Sequence, residues 1–96
     1  VRAAKVDRNQ GAIVQALRGM GAACYSTATL GKGAPDLLVA FRGTWSWLEL
    51  KMPGESLNEA QRALHGQCPA PIYVVTSPEE AMRIVAGAAR PKKLDG

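Results

Sequence analysis

Two carboxylates and an amine in this 96-residue chain are spaced so that they could share one site: Asp36, Glu49 and, two residues further on, Lys51. Leu37 to Phe41 and Trp45 to Leu50 are apolar runs on either side of Arg42-Gly43-Thr44, the pattern of a β-hairpin. With a two-residue loop at Arg42-Gly43, Phe41 pairs with Thr44 and, five residues back along each arm, Asp36 falls opposite Glu49. Opposed residues point to the same face of a sheet, as do residues two apart on one strand, so the three charged groups converge. A three-residue loop would send Asp36 and Glu49 to opposite faces unless a bulge restored the phase, and a Gly43-Thr44 loop would set Asp36 opposite Lys51. Like charges whose Cβ atoms lie about 4.5–5.5 Å apart destabilise a sheet. Lys51 supplies one compensating charge. A hard divalent cation, Mg²⁺ or Mn²⁺, held by two carboxylates, a main-chain carbonyl and water, satisfies the pair better. Beside such a cation a lysine can orient a water while charge developing on a phosphoryl oxygen is stabilised, which is the chemistry of phosphodiester hydrolysis.

The flanking elements must hold that hairpin in place. Between Asp7 and Met20 the apolar residues Ala12, Ile13, Ala16, Leu17 and Met20 recur at helical spacing, and Gly21 stops the helix. Residues 22–29 read as a strand, and Gly31 to Pro35 as a turn. Asn58 stands three residues before Gln61, the spacing of a capping box that opens a helix to about Gly66. Ile72 to Thr76 is a short continuous apolar run, as expected of a central strand covered on both faces. Ser77-Pro78-Glu79-Glu80 is a second capping box with proline at the first helical position, and the helix continues to Ala89. The order is α-β-β-β-α-β-α.

Ninety-six residues allow one domain, with a core over about 7–89 and a basic tail over 90–96. A mean hydropathy of -0.08 argues against a disordered chain, and no apolar run approaches the ~20 residues of a membrane helix. Nor does a charged segment followed by an apolar one suggest a secretion signal. Twelve Lys and Arg against eight Asp and Glu give a net charge of +4, a mild bias toward polyanions such as nucleic acid. Arg2, Lys5 and Arg8 cluster near one end and Arg90, Lys92 and Lys93 near the other. Lys32, in the glycine-rich turn beside Asp36, is the first candidate to grip a phosphate, followed by Arg42 and Arg62. Cys24 and Cys68 have no CxxC partner and read as reduced thiols in a cytoplasmic protein. His65, the one histidine, reads as a surface or packing residue. Trp45 and Trp47 share the face of Glu49 by parity; they could approach a nucleic-acid substrate, but core is the expectation for the area each ring buries.

Gly33-Ala34-Pro35-Asp36-Leu37-Leu38-Val39, Leu48-Glu49-Leu50-Lys51 and Leu57-Asn58-Glu59-Ala60-Gln61, in that order, resemble the Gly-x-Pro-Asp, Glu-x-Lys and downstream Gln pattern of VRR-NUC domains. These belong to the PD-(D/E)xK nuclease superfamily, and the likeness is to their small stand-alone phage and bacterial form, over about residues 7–89. The resemblance implies a single restriction-endonuclease-like α/β domain with a mixed central sheet flanked by helices. It implies that Asp36 and Glu49 ligate Mg²⁺ or Mn²⁺ through their side chains and Leu50 through its carbonyl. Lys51 would position the attacking water, and Gln61 would hold the lysine or the water. An accessory acidic ligand on the first helix falls at Gln10, whose carboxamide is a poorer ligand for a hard cation, so one metal is expected. The implied function is metal-dependent endonucleolytic cleavage of DNA, double-stranded or branched, with selectivity for structures such as four-way junctions. A homodimer is expected as well, because so short a chain buries limited apolar area alone and a two-fold pair suits a symmetric junction. The alternative is a catalytically silent nucleic-acid-binding or assembly module of the same fold, which Gln10 in place of an acid supports.

Overall fold

The hairpin sets the frame. In the computed structural model, which describes residues 9–89, β2 (Leu37–Phe41) and β3 (Thr44–Leu50) pair antiparallel from Phe41 with Thr44 to Leu37 with Leu48. The loop is the two-residue one: Arg42 and Gly43 both take positive φ, 50° and 79°. That geometry matches the right-handed twist of the two arms, and it asks a left-handed conformation of an arginine, a cost of about 1–2 kcal/mol. β1 (Ala23–Ser26) pairs antiparallel with β2, and β4 (Ile72–Val75) pairs parallel with β3. The result is a four-stranded mixed sheet in the order β1-β2-β3-β4. A parallel neighbour needs a crossover, and α2 (Glu59–Gln67) supplies it.

α1 (Gln10–Gly19) and α3 (Pro78–Ala89) lie on one face of the sheet. Ile13 and Leu17 of α1, and Ala81 and Val85 of α3, are pairs four apart on one helical side, and all four are buried. They meet Cys24, Leu37, Val39, Leu48, Leu50 and Val75 from the strands. Each large side chain so enclosed contributes about 1.5–3 kcal/mol. The described residues therefore form a small α/β domain with three α-helices in the order α-β-β-β-α-β-α. No helix among them is long and apolar enough to cross a membrane.

Several elements depart from expectation. α1 begins at Gln10, and Asp7 lies outside the described residues, as do the basic groups at Arg2, Lys5, Arg8 and Arg90, Lys92, Lys93. At its other end the helix closes as expected, with Gly21 at φ 99° and the Ala22 N–H donating to the Leu17 carbonyl. The strand expected over 22–29 ends at Ser26 and gives way to a 3₁₀ turn, Ala28–Leu30. The Thr27 hydroxyl, donating to the Pro35 carbonyl at 2.6 Å, ties that turn to the chain entering β2. β4 is an edge strand, not a central one, and Val74 is exposed. Its apolar run serves two different surfaces, with Tyr73 and Val75 on the helix-covered face and Ile72 and Val74 on the other. The cap of α3 is redistributed. Ser77 Oγ accepts from the Glu80 N–H, but Glu80 Oε1 accepts from the Thr76 N–H at 2.7 Å, one residue upstream of the expected partner.

Candidate active site

Asp36 immediately precedes β2, its N–H donating to the carbonyl of Leu48, which already pairs with Leu37, and its carbonyl accepting from the Thr27 N–H. Proline at 35 has no N–H and cannot continue the pairing. Leu50 N–H instead donates to Asp36 Oδ2 at 2.7 Å. A carboxylate accepting from an amide makes a strong, short bond, and here it fixes Asp36 against the peptide that joins Glu49 to Leu50. The side chain of Leu50 belongs to the core, so only its main-chain atoms lie on the site.

Glu49 is completely buried. The cover is not apolar. Gln61 Nε2 donates to Glu49 Oε2 at 3.0 Å, and His65 Nε2 lies 3.2 Å from Oε1. Both come from α2, one turn apart, and α2 itself has no buried residue. Gln61 also completes the capping box: its Oε1 accepts from the Asn58 N–H at 2.9 Å, and its own N–H donates to Asn58 Oδ1 at 2.8 Å. The two roles open to this glutamine from sequence thus coexist, because its carboxamide oxygen serves the cap while its nitrogen serves Glu49. The turn before β2 presses on the same helix end. A Cβ at Gly33, whose φ is 81°, would stand 2.5 Å from the Ala60 carbonyl oxygen, so no other residue fits there without displacing backbone.

Lys51 is also buried, on the same face, with Nζ 4.0 Å from Glu55 Oε2. Its N–H donates to the Val75 carbonyl, and its carbonyl accepts from Asn9 Nδ2, which also donates to the Thr76 carbonyl at 3.0 Å. Asn9 therefore joins the ends of β3 and β4, while its Oδ1 is buried without a partner. Burial, and then the neighbouring Lys51 charge, hold the His65 imidazole below the usual histidine range. At neutral pH it is uncharged, and its contact with Glu49 is a hydrogen bond that places the ring proton on Nε2.

The structure thus joins Gln61 to Glu49 through their side chains and Asp36 to the main-chain N–H of Leu50, with Lys51 two residues beyond Glu49 on β3's continuation. Gln10 instead lines a groove along α1 with Val14, Gln15 and Arg18, and it is its neighbour Asn9 that reaches the strand ends. Lys32 is exposed, with φ 57°, in the turn leading to Asp36. Arg42 sits at the hairpin tip, its guanidinium 5.2 Å from the Phe41 ring centre, about 17 Å along the strand from Asp36. Arg62 turns back to donate to the Leu57 carbonyl at 2.6 Å. His65 and Asn9 were not expected here. For His65 the available signal was its position four residues after Gln61, which puts both on one side of α2. Trp45 is not core but 60% exposed, and Trp47 is half-buried with its Nε1 donating to Thr27 Oγ1 at 3.0 Å. Both principal helices cover the opposite face and α2 covers only the Glu49 end, so the rings keep the parity expected of them but lie on the side that is not covered.

Among the described residues, no three His, Cys, Asp or Glu side chains group as a cation site. The donor set is the Asp36 and Glu49 carboxylates and the Leu50 carbonyl, and Asp36 commits only Oδ2 to Leu50 N–H. These are hard oxygens, the kind that suit Mg²⁺ or Mn²⁺ keeping several waters. Comparison with known proteins adds no relative, since no family model, curated protein or solved structure matches the chain.

Proposed function

We propose that this chain is a metal-dependent endonuclease that hydrolyses DNA phosphodiester bonds, built on the restriction-endonuclease-like arrangement of VRR-NUC domains. The observation that carries the reading is the hydrogen bond by which the Asp36 carboxylate accepts from the Glu49–Leu50 peptide, just beyond the last hairpin pair, Leu37 with Leu48. Asp36, Glu49 and the Leu50 carbonyl would hold Mg²⁺ or Mn²⁺, which when bound would offset the paired charges and polarise a phosphoryl oxygen. Lys51, on the same face, orients a water toward phosphorus. Gln61 and His65 fix the Glu49 carboxylate from α2, and Asp36, only half-buried, marks the side from which a DNA backbone approaches. His65 and Gln61 must turn aside for a ligand to reach Glu49.

Branched or four-way junction DNA is the substrate that the resemblance favours, and a homodimer would place two such sites against a two-fold symmetric junction. The free thiols of Cys24 and Cys68 suit a cytoplasmic setting. A second reading, a catalytically silent nucleic-acid-binding module, is favoured by one observation: both Glu49 oxygens are engaged under a complete cover.

Supercoiled, linear and branched DNA incubated with Mg²⁺, with Mn²⁺ and with chelator separates the two. The nuclease reading expects cleavage with either metal, none with chelator, and a loss of at least about a hundredfold in Asp36→Asn, Glu49→Gln and Lys51→Ala. Cleavage that survives these substitutions overturns it. DNA binding that needs no metal, with no cleavage of any substrate, selects the silent module.

A further inference from the structure

The face of the sheet that carries Glu49 continues toward the hairpin tip as an aromatic surface. Trp45, Trp47 and Glu49 are alternate residues of β3 and so share that face, in steps of about 7 Å. Tyr25 reaches Trp45 across β2, with ring centres 6.1 Å apart and planes tilted by 43°. Both rings are more than half exposed. At the hairpin end of the sheet Trp45, Trp47 and Leu38 border a groove of about 370 Å³ that Cys68, Pro71 and, round the edge of β4, Tyr73 and Ala88 of α3 close. No residue lining it is charged. Trp47 is held by its bond to Thr27, whose hydroxyl is in turn held by Pro35, so this wall is rigid and is tied to the residue that precedes Asp36.

The geometry points to this groove as a seat for an unpaired nucleobase of the nucleic acid whose backbone lies at Asp36 and Glu49; the inference rests on the nuclease reading above. The groove is concave and of the size that holds one small planar ligand, whereas a second copy of the chain would need a broad face. Its walls are neutral and aromatic, which selects a flat neutral group such as a base over a phosphate or a charged peptide. Trp47 of its lining stands two residues before Glu49 on β3, about 7 Å along the strand, so a nucleic acid lying at Glu49 passes close to it. The substrate class is therefore DNA with single-stranded or unstacked nucleotides a few positions from the cut, and not uninterrupted duplex.

Fluorescence anisotropy with labelled duplex, single-strand and single-strand-flapped duplex DNA, in Ca²⁺ in place of Mg²⁺, tests it. Trp45→Ala should weaken binding of single-strand and flapped DNA about tenfold, leave duplex within about twofold, and leave the melting temperature unchanged. Trp45→Phe, which keeps a stacking face, should restore most of the loss. Equal effects on all three DNAs, or none on any, overturn the inference. A wild-type dimer in sedimentation that Trp45→Ala dissociates also overturns it and gives the face to a second copy. Cleavage by the wild type with unchanged Trp45→Ala affinities removes the groove but leaves the nuclease reading. Trp45-dependent binding of single strands without cleavage in Mg²⁺ or Mn²⁺ removes the nuclease reading and supports the groove.

Discussion

Alternate residues of β3 inhabit two different settings. Ser46, Leu48 and Leu50 are buried on the face that α1 and α3 cover, while Trp45, Trp47, Glu49 and Lys51 point to the other. Glu49 and Leu48 are equally inaccessible, yet for different reasons: Leu48 is enclosed by apolar side chains, and Glu49 is roofed by a carboxamide and an imidazole. Burial by packing is stabilising and permanent. Burial by polar contacts here comes from a helix with no buried residue of its own, so it rests on two side chains and not on a packed core.

The contrast can be broken by substitution. Leu48→Ala should cost about 2–5 kcal/mol in chemical denaturation, because it leaves a cavity against α3 and β2. Trp45→Ala, three residues away on the open face, should stay within about 0.5 kcal/mol. Comparable losses from the two would mean that the open face is packed after all. Gly33→Ala should cost about 1–3 kcal/mol by thermal melting, since it combines a left-handed backbone with a clash against the Ala60 carbonyl. It should also reduce cleavage by more than that stability loss explains, because the turn it disturbs abuts the helix that roofs Glu49. A melting change with full activity would separate the turn from the site.

The smallest effect concerns Cys24. Burial pushes its thiol above the usual range, against a weaker lowering by Arg18. A raised folded-state pKa means that the native protein holds the proton more tightly than the unfolded chain. Its contribution is therefore fully present below the unfolded value of about 8.5 and is lost as pH rises through the higher folded value. Denaturation between pH 7 and pH 10 should show that decline, and Cys24→Ala should flatten it. Thiol alkylation of the native protein should proceed at Cys68, which is less buried, before Cys24.

Much of the frame was legible because local chemistry determines it. Arg42-Gly43 offered a two-residue loop, and from that single feature follows the register from Phe41 with Thr44 to Leu37 with Leu48. Other loop choices stayed open in sequence because arginine does not favour positive φ, and here the pairing of the strands overrides that preference. Asn58 and Gln61 announced α2 by spacing. What could not be read were matters of assembly. An apolar run such as Ile72 to Val75 has the same composition at an edge as at the centre of a sheet, so the place of β4 depends on which strands pair. Parity put Trp45, Trp47 and Glu49 on one face, but which face the helices cover is decided by long-range packing. His65 carried no partner signal near it in sequence, since the carboxylate it touches lies 16 residues earlier.

The double duty of Gln61 couples two events that proteins usually keep apart. Its amide oxygen secures the opening turn of α2 while its nitrogen holds Glu49 Oε2, so fraying of that turn removes a cap and one of Glu49's contacts in the same motion. The stability of one helix end is thereby tied to the carboxylate's setting, and hydrogen exchange at the Gln61 backbone amide, whose N–H bonds Asn58, would report how often that end opens.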